Sequence, residues 1–124
     1  MVIFMKTLVL GASPNPDRYS YKAVQLLQDK EKDVVAMGIN KGKIGTISIV
    51  SPTATITDVH TVSLYLNPQR QEQYLDFILS LNPKRVLFNP GAENPILATK
   101  LTQEGIAWEN VCTLVLLSTN RYEP

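Results

Sequence analysis

The sequence predicts an α/β protein with a Rossmann-like, three-layer fold, built on a mostly parallel sheet of about five strands. Short apolar runs rich in β-branched residues alternate with segments of helical spacing, which is typical of this class. Proline and asparagine mark the start of two predicted helices. The length of 124 residues suits one domain over 1–124. Crossovers between parallel strands are almost always right-handed, so helices are expected on both faces.

The predicted strands are short apolar runs that each end in a turn. They cover 6–10, 34–39, 59–66, 85–88 and 111–117. Continuous apolar runs of this length are typical of strands buried on both faces. The segment 44–57 alternates apolar and polar residues and then breaks at Ser51-Pro52, which predicts a short strand or hairpin.

Three helices are predicted between these strands, over 19–30, 68–81 and 95–105. Two of them begin with the same device, since Asn67 and Asn94 can cap a helix and the proline that follows each suits its first turn. Gly105 is a suitable residue for a helix C-terminus.

Composition excludes several classes of protein. The chain has 12 Lys and Arg against 11 Asp and Glu, with 44% hydrophobic residues, so neither a disordered chain nor a strongly basic nucleic-acid binder is expected. One cysteine, Cys112, cannot form an internal disulfide. The apolar N-terminus, 1–6, is too short for a signal peptide, and no run is long enough for a membrane helix. We expect a cytoplasmic protein without nucleic-acid or membrane partners.

The loop after the first strand is a candidate phosphate site. It leads into a predicted helix, whose free N–H groups and dipole attract anions. Gly11 permits close backbone approach, Ser13 and Ser20 offer hydroxyl donors, and Arg18 offers a planar fork suited to phosphate. An ordinary strand-to-helix turn with a surface arginine is the alternative. The loop is neither G-x-G-x-x-G nor a P-loop, which weakens a dehydrogenase interpretation.

The loop after the second strand is basic. Lys41 and Lys43 stand where an acidic residue would hold the ribose hydroxyls of NAD. A phosphorylated ribose is therefore the better-matched ligand, and a solvated lysine turn is the alternative. In open sheets of this class, ligands bind outside the carboxyl ends of the strands, so both loops should face one crevice.

No catalytic set is visible. His60 starts a predicted strand away from that edge, and Cys112 is expected as a core thiol in the last strand. Trp108 is expected to pack, whereas Tyr19 or Tyr21 could flank a purine. Neither a metal-ligand cluster nor a nucleophile–base pair is present. The sequence therefore favours a binding protein over an enzyme.

The chain resembles the small CoA-binding proteins related to the N-terminal domain of the succinyl-CoA synthetase α subunit. The resemblance rests on KTLVLGAS at 6–13, RYSY at 18–21, VLFNPGAENP at 86–95 and the segment 107–117. It implies coenzyme A or acyl-CoA bound through the ADP portion. The implied contact residues are Gly11, Ala12, Ser13, Arg18, Ser20, Asn40, Lys41, Asn67, Pro68, Asn89, Gly91 and Glu93. The synthetases carry their phosphorylated histidine on a second domain, and His60 does not match that site.

Three functional hypotheses follow. The first is a CoA-binding module that is not catalytic on its own. The second is an NAD(P)-dependent enzyme or nucleotide-sensing regulator on the same fold, and the third is one subunit of an acyl-CoA ligase. The sequence leaves open a homo-oligomer or an unknown protein partner. The ligand that co-purifies with the protein would discriminate between the hypotheses.

Overall fold

The computed structural model describes residues 5–123 and contains a five-stranded parallel sheet. Its strands are β1 (Lys6–Leu10), β2 (Val34–Met37), β5 (Val59–Leu64), β6 (Arg85–Phe88) and β7 (Ala107–Asn110), and a separate hairpin pairs β3 (Lys43–Ile44) with β4 (Ile47–Ser48). The order across the sheet is β2-β1-β5-β6-β7, with every neighbouring pair parallel. The apolar N-terminal run 1–6, which we expect to be too short for a signal peptide, lies mostly outside the described residues.

Helices cover both faces of the sheet. They are α1 (Tyr19–Asp29), α2 (Pro68–Gln71), α3 (Leu75–Leu81), α4 (Pro95–Gln103) and α5 (Thr113–Ser118), with a 3₁₀ turn over Glu72–Tyr74. Alternate residues of β1 serve opposite faces, as strand geometry requires. Leu8 and Leu10 pack with α3 and α4, whereas Val9 packs with α1 and α5. The predicted three-layer fold with a mostly parallel sheet is confirmed.

The chain reverses its direction across the sheet between β1 and β5. From β1 it moves outward to β2, and it then returns past β1 to build β5, β6 and β7 on the other side. The loops that follow β1 and β5 therefore diverge to opposite faces. This divergence opens a crevice at the carboxyl edge, which is where such sheets bind ligands.

The last predicted strand is wrong. The fifth strand is β7, and the apolar run 111–117 forms a short loop followed by α5. A short apolar run fits a buried strand or a buried helix equally well by periodicity. Thr113 and Leu117, four residues apart, form the buried face of α5. All four residues of β7 are exposed, so this edge strand lacks the continuous apolar run that predicts a buried strand.

The two predicted asparagine caps are present. The Asn67 side chain accepts the N–H of Arg70 at 2.9 Å. That of Asn94 accepts the N–H groups of Ile96 and Leu97 at 3.1 and 3.2 Å. The helix predicted over 68–81 is interrupted by the 3₁₀ turn, and the predicted hairpin in 44–57 is the short β3–β4 pair.

The segment after α5 returns beneath the amino edge of the sheet. Tyr122 is almost fully buried there, and its hydroxyl hydrogen-bonds that of Thr7 in β1. Arg85 donates from Nη2 to the Tyr122 carbonyl at 2.6 Å and lies 4.7 Å from the centre of its ring. A charged and an aromatic side chain thus close the edge opposite to the crevice.

In the part of the chain that the structure describes, no helix has both the length and the apolar character to cross a membrane.

Candidate functional site

A cavity of about 580 Å³ lies at the carboxyl edge of the sheet, where the loops diverge. This size is within the range usual for small-molecule sites. The loops after β1, β2, β5 and β6 line it, together with the first residues of α1 and the segment 70–74. The lining residues are Leu10, Gly11, Ala12, Ser13, Arg18, Tyr19, Ser20, Met37, Gly38, Ile39, Asn40, Tyr65, Leu66, Asn67, Arg70, Gln73, Tyr74, Pro90 and Gly91.

The loops after β1 and β2 are joined into one ledge. The N–H groups of Gly11 and Ala12 both donate to the Met37 carbonyl, at 3.0 and 2.9 Å. Gly11 has a φ of +97°, which a glycine adopts without strain. A Cβ on Gly38 would lie 2.2 Å from the Ala12 carbonyl oxygen, so only glycine fits there. The backbone at this ledge can approach a ligand closely.

The N-terminus of α1 opens on this cavity without a side-chain cap. Arg18 occupies the N-cap position, and its side chain makes no capping hydrogen bond. In the preceding turn, the N–H of Asn15 donates to the Ser13 hydroxyl at 3.1 Å. The first-turn N–H groups therefore have no side-chain acceptor, in contrast to those of α2 and α4. A helix end of this kind attracts an anion through its N–H groups and its dipole.

The charge of the cavity is positive. Arg18 and Arg70 line it, and in the described part of the chain no aspartate or glutamate does. Within residues 5–123, neither arginine makes an ion pair; the recorded pair joins Lys32 to Glu123 elsewhere. Because unpaired guanidinium groups bind phosphate and carboxylate in a planar fork, the cavity suits an anionic ligand.

The cavity rim carries two exposed apolar side chains. Tyr19 is 70% exposed and Ile39 is 74% exposed, although large apolar side chains are more often buried. The Lys22 ammonium lies 5.5 Å from the centre of the Tyr19 ring. Both residues also line the cavity, so a planar or apolar part of a ligand would cover them.

The comparison with known families decides the assignment. The family model described as CoA binding domain matches residues 5–118, nearly the whole chain. The chain belongs to this CoA binding domain family. The resemblance noted in the sequence is confirmed.

Solved structures agree with the fold of a CoA binding domain. The crystal structure of an uncharacterized protein is 42% identical, with a TM-score of 0.91 over 97% of this chain and 99% of that chain. A Thermus thermophilus protein is 17% identical, with a TM-score of 0.83 over 95% and 90% of the two chains. A conserved hypothetical protein from Pyrococcus furiosus is 23% identical, with a TM-score of 0.77 over 90% and 98%. No curated protein sequence matches significantly.

Most of the residues implied for a CoA binding domain line the cavity. They are Gly11, Ala12, Ser13, Arg18, Ser20, Asn40, Asn67 and Gly91. Because the N–H groups of Gly11 and Ala12 are already bonded to Met37, these two residues shape the ledge rather than offer free donors. Lys41 and Pro68 are exposed and are not among the lining residues.

Asn89 and Glu93 have structural hydrogen bonds instead. Asn89 is buried, and its amide donates to the Ser63 hydroxyl and the Leu64 carbonyl, each at 3.0 Å. Its oxygen accepts the Thr113 N–H at 2.8 Å. Glu93 accepts the Gly91 N–H at 2.7 Å and so braces its own loop. Neither residue is among those that line the cavity, and the side chains of both are engaged in these hydrogen bonds.

Gln71 holds together the side of the cavity formed by the loops after β5 and β6. It is fully buried, and its amide donates to the carbonyls of Leu66 and Ala92, both at 2.7 Å. Its oxygen accepts the Asn94 amide at 2.8 Å. The loops after β5 and β6 and the start of α4 are thereby joined. A glutamine in a helix turn carries no sequence signal for this role.

The lining residues Arg70, Gln73 and Tyr74 also fall outside the sequence-predicted set. They follow the predicted Asn67 cap by three to seven positions. A basic residue, Arg70, three positions after the asparagine that caps a helix N-terminus is the one sequence signal that could have indicated them.

The Tyr65 hydroxyl is buried and has no hydrogen bond of normal geometry, although Ser63 and Thr113 lie near it. Burial, the largest cause, raises the pKa of this phenol above its ordinary value, so it stays neutral. Tyr65 is one of the residues that line the cavity, and it also packs against the buried cluster that contains Val9.

The histidine and the cysteine lie away from the cavity lining. His60 is in β5 near the amino edge, where Nδ1 and the Thr61 hydroxyl are 2.8 Å apart. Cys112 is half-buried at the N-cap of α5, so the interpretation as a core thiol within a strand is wrong. Across residues 5–123, no three His, Cys, Asp or Glu side chains are grouped to hold a metal ion.

Proposed function

We propose that this chain binds coenzyme A or an acyl-CoA in the cavity through the ADP and diphosphate portion, and that it is not catalytic on its own. The uncapped N-terminus of α1, which opens on a cavity lined by arginines and no carboxylate, carries this proposal. Family membership names the ligand class. The first-turn N–H groups and the Arg18 guanidinium would hold the diphosphate, since both are suited to phosphate oxygens.

The adenosine end of the ligand would point toward β2. Asn40 lines the cavity on that side, and Lys41 and Lys43 follow it as exposed cations. A lysine has a long flexible stem, so Lys41 can approach a phosphate at the cavity mouth. The ribose 3′-phosphate of CoA supplies such a group. The pantetheine arm would then extend over the loops after β5 and β6.

The main rival ligand is NADP or NAD. In dinucleotide folds, an acidic residue after the second strand holds the ribose hydroxyls of NAD, and here that loop is basic. A 2′-phosphate would suit the lysines as well as a 3′-phosphate does, so NADP belongs in the test. The ligase-subunit alternative requires a partner chain to supply catalytic groups.

The binding role is supported by the lining, which among the described residues 5–123 contains no histidine, lysine, cysteine or carboxylate. The lining hydroxyls, such as those of Ser13 and Ser20, therefore have no such side chain beside them in the cavity to act as the general base that a serine nucleophile needs. We expect no acyl-CoA synthetase or dehydrogenase turnover from the pure chain. The proposal also treats 1–124 as one domain and places it in the cytoplasm.

Calorimetry with CoA and dephospho-CoA tests the proposed orientation. Arg18→Ala should weaken both ligands about equally, by roughly ten- to a hundredfold, because a charge-assisted bond to the diphosphate contributes about 1.5–3 kcal/mol. Lys41→Ala should weaken CoA and leave dephospho-CoA nearly unchanged. Arg121→Ala, an exposed arginine outside the cavity lining, is the matched control.

Two results would contradict the proposal. Tighter binding of NADP or NAD than of CoA by the unmodified chain would favour the dinucleotide alternative. Unchanged CoA affinity in both Arg18→Ala and Lys41→Ala would show that the ligand does not occupy this cavity in the proposed orientation.

A further inference from the structure

The half of the cavity that the loops after β1 and β2 form is held in place by close contacts between those loops. A Cβ added to Gly38 would lie 2.2 Å from the Ala12 carbonyl oxygen, and one added to Gly42 would lie 2.6 Å from the Pro14 Cβ. The two loops therefore touch at two places. A half-site that is already formed has a smaller ordering cost when it binds a ligand.

Two large apolar side chains stand uncovered at the rim of this half. Tyr19 begins α1 and Ile39 follows β2, and both line the cavity although both are largely exposed. Ile96 in α4 is exposed to a similar degree but is not among the lining residues. Bases of every kind stack on aromatic side chains, since each base has a π-face. This half of the cavity therefore suits a purine ring.

The cations that could hold phosphates lie next to these side chains. Arg18 directly precedes Tyr19, at the uncapped N-terminus of α1. Lys41 is exposed shortly after Ile39. In coenzyme A every negative charge, on the diphosphate and on the ribose 3′-phosphate, belongs to the nucleotide half of the molecule. The proposed orientation therefore directs all charge-assisted contacts, which are about twice as strong as neutral ones, to that half.

The loops after β5 and β6 offer less to the pantetheine arm. The Asn67 side-chain oxygen already accepts the Arg70 N–H at 2.9 Å. The Glu93 carboxylate accepts the Gly91 N–H at 2.7 Å, and buried Gln71 is occupied in joining the loops. The arm is uncharged, so its contacts here are neutral hydrogen bonds and apolar packing. Most of the affinity for CoA should then come from its nucleotide half.

We propose, building on the proposed function, that the cavity also binds this nucleotide half as a free ligand, namely a purine nucleoside with phosphates at both the 5′ and the 3′ positions and no pantetheine arm. Such a nucleotide competes with CoA, because its base and its two phosphate positions are those of CoA. The fraction of the protein that carries CoA is then set by the ratio of the two ligands. The site is thus regulated by competition and needs no conformational change.

Calorimetry with fragments of CoA tests this competition on the full chain, with and without bound CoA. Adenosine 3′,5′-bisphosphate should bind within about tenfold of CoA and displace it. AMP should bind about tenfold more weakly than the bisphosphate, because it lacks one charge-assisted contact. Pantetheine should leave CoA in place. Inorganic diphosphate at equal ionic strength, which carries charge without a base, should displace little CoA.

The rim residues provide a readout that both ligands share. Tyr19→Ser should weaken CoA and the bisphosphate by the same factor, about tenfold, because a stacked base loses its platform. Ile39→Ser should cause a smaller loss that is again equal for the two ligands. Ile96→Ser replaces an isoleucine of matching exposure outside the cavity lining, so it should change neither affinity.

The outcomes separate this inference from the proposed function. If CoA does not bind, the proposed function fails and there is no competition. If CoA binds but the bisphosphate is more than about a hundredfold weaker, or pantetheine displaces CoA better than the bisphosphate does, only this inference is refuted. Equal displacement by inorganic diphosphate, or a Tyr19→Ser variant that weakens CoA and not the bisphosphate, would also refute it, since the base would then make no shared contact.

Discussion

Replacing Gln71 by methionine removes the joint between two cavity loops while keeping the volume of the side chain nearly constant. Three hydrogen bonds of 2.7, 2.7 and 2.8 Å are lost. The carbonyls of Leu66 and Ala92 and the amide of Asn94 are left without this partner. Each hydrogen bond contributes about 1 kcal/mol net, and a buried partner left unsatisfied costs about 1–3 kcal/mol. For the three bonds we therefore expect the free energy of unfolding to fall by about 3 kcal/mol or more.

Urea unfolding followed by circular dichroism measures this loss. The midpoint should fall while the slope with denaturant stays constant, because the surface exposed on unfolding hardly changes. Gln73→Met is the control, since Gln73 is exposed and its side chain has no hydrogen-bond partner among residues 5–123, and surface changes of this kind usually stay within about 0.5 kcal/mol. A loss below about 1 kcal/mol in Gln71→Met would refute the claim that this glutamine holds the loops together.

Two further predictions concern the ledge and the amino edge. Gly38→Ala should lower the free energy of unfolding, measured by urea unfolding, by about 3 kcal/mol or more, because its Cβ would meet the Ala12 carbonyl oxygen. Gly105→Ala is the control: nothing lies near its added Cβ, so it should lose only the roughly 1–2 kcal/mol of left-handed backbone strain. Equal losses in the two variants would contradict the steric argument. Burial, with the charges of Arg85 and Lys84, lowers the pKa of His60 below 6.5. The unfolded chain therefore binds this proton more readily, so stability should rise with pH up to about 6.5, and His60→Gln should flatten that rise; an unchanged pH profile would count against it.

The regular parts of the fold were predictable because their signals are local. The strand over Arg85–Phe88 and the caps at Asn67 and Asn94 match the prediction at the residue level. The edge strand Ala107–Asn110 could not be found in this way. It is exposed at the edge of the sheet beside β6, and its sequence, AWEN, has neither the continuous apolar run nor the alternation that indicates a strand. The apolar run after it is then the more strand-like segment, although tertiary packing makes it a helix.

Some residues of the candidate site could likewise be predicted from local sequence signals, whereas others could not. Gly11, Ser13 and Arg18 lie between β1 and α1, where position in the chain is enough to suggest a phosphate site. All three line the cavity. Asn89 follows a strand in the same manner, yet buried backbone groups engage its amide. The Gln71 joint links residues 21 and 23 positions apart in the chain, and only the assembled fold shows which donor meets which acceptor.

The contact between Thr7 and Tyr122 spans almost the whole sequence, and this bears on how the protein is made. Thr7 belongs to β1, which lies between β2 and β5 in the sheet. Its buried hydroxyl is hydrogen-bonded to that of a residue synthesised 115 positions later. Until that segment emerges, Arg85 also lacks both the Tyr122 carbonyl and its ring. Nascent chains ending before Tyr122 should therefore stay sensitive to proteases, and protection should come late in synthesis, when the amino edge is sealed.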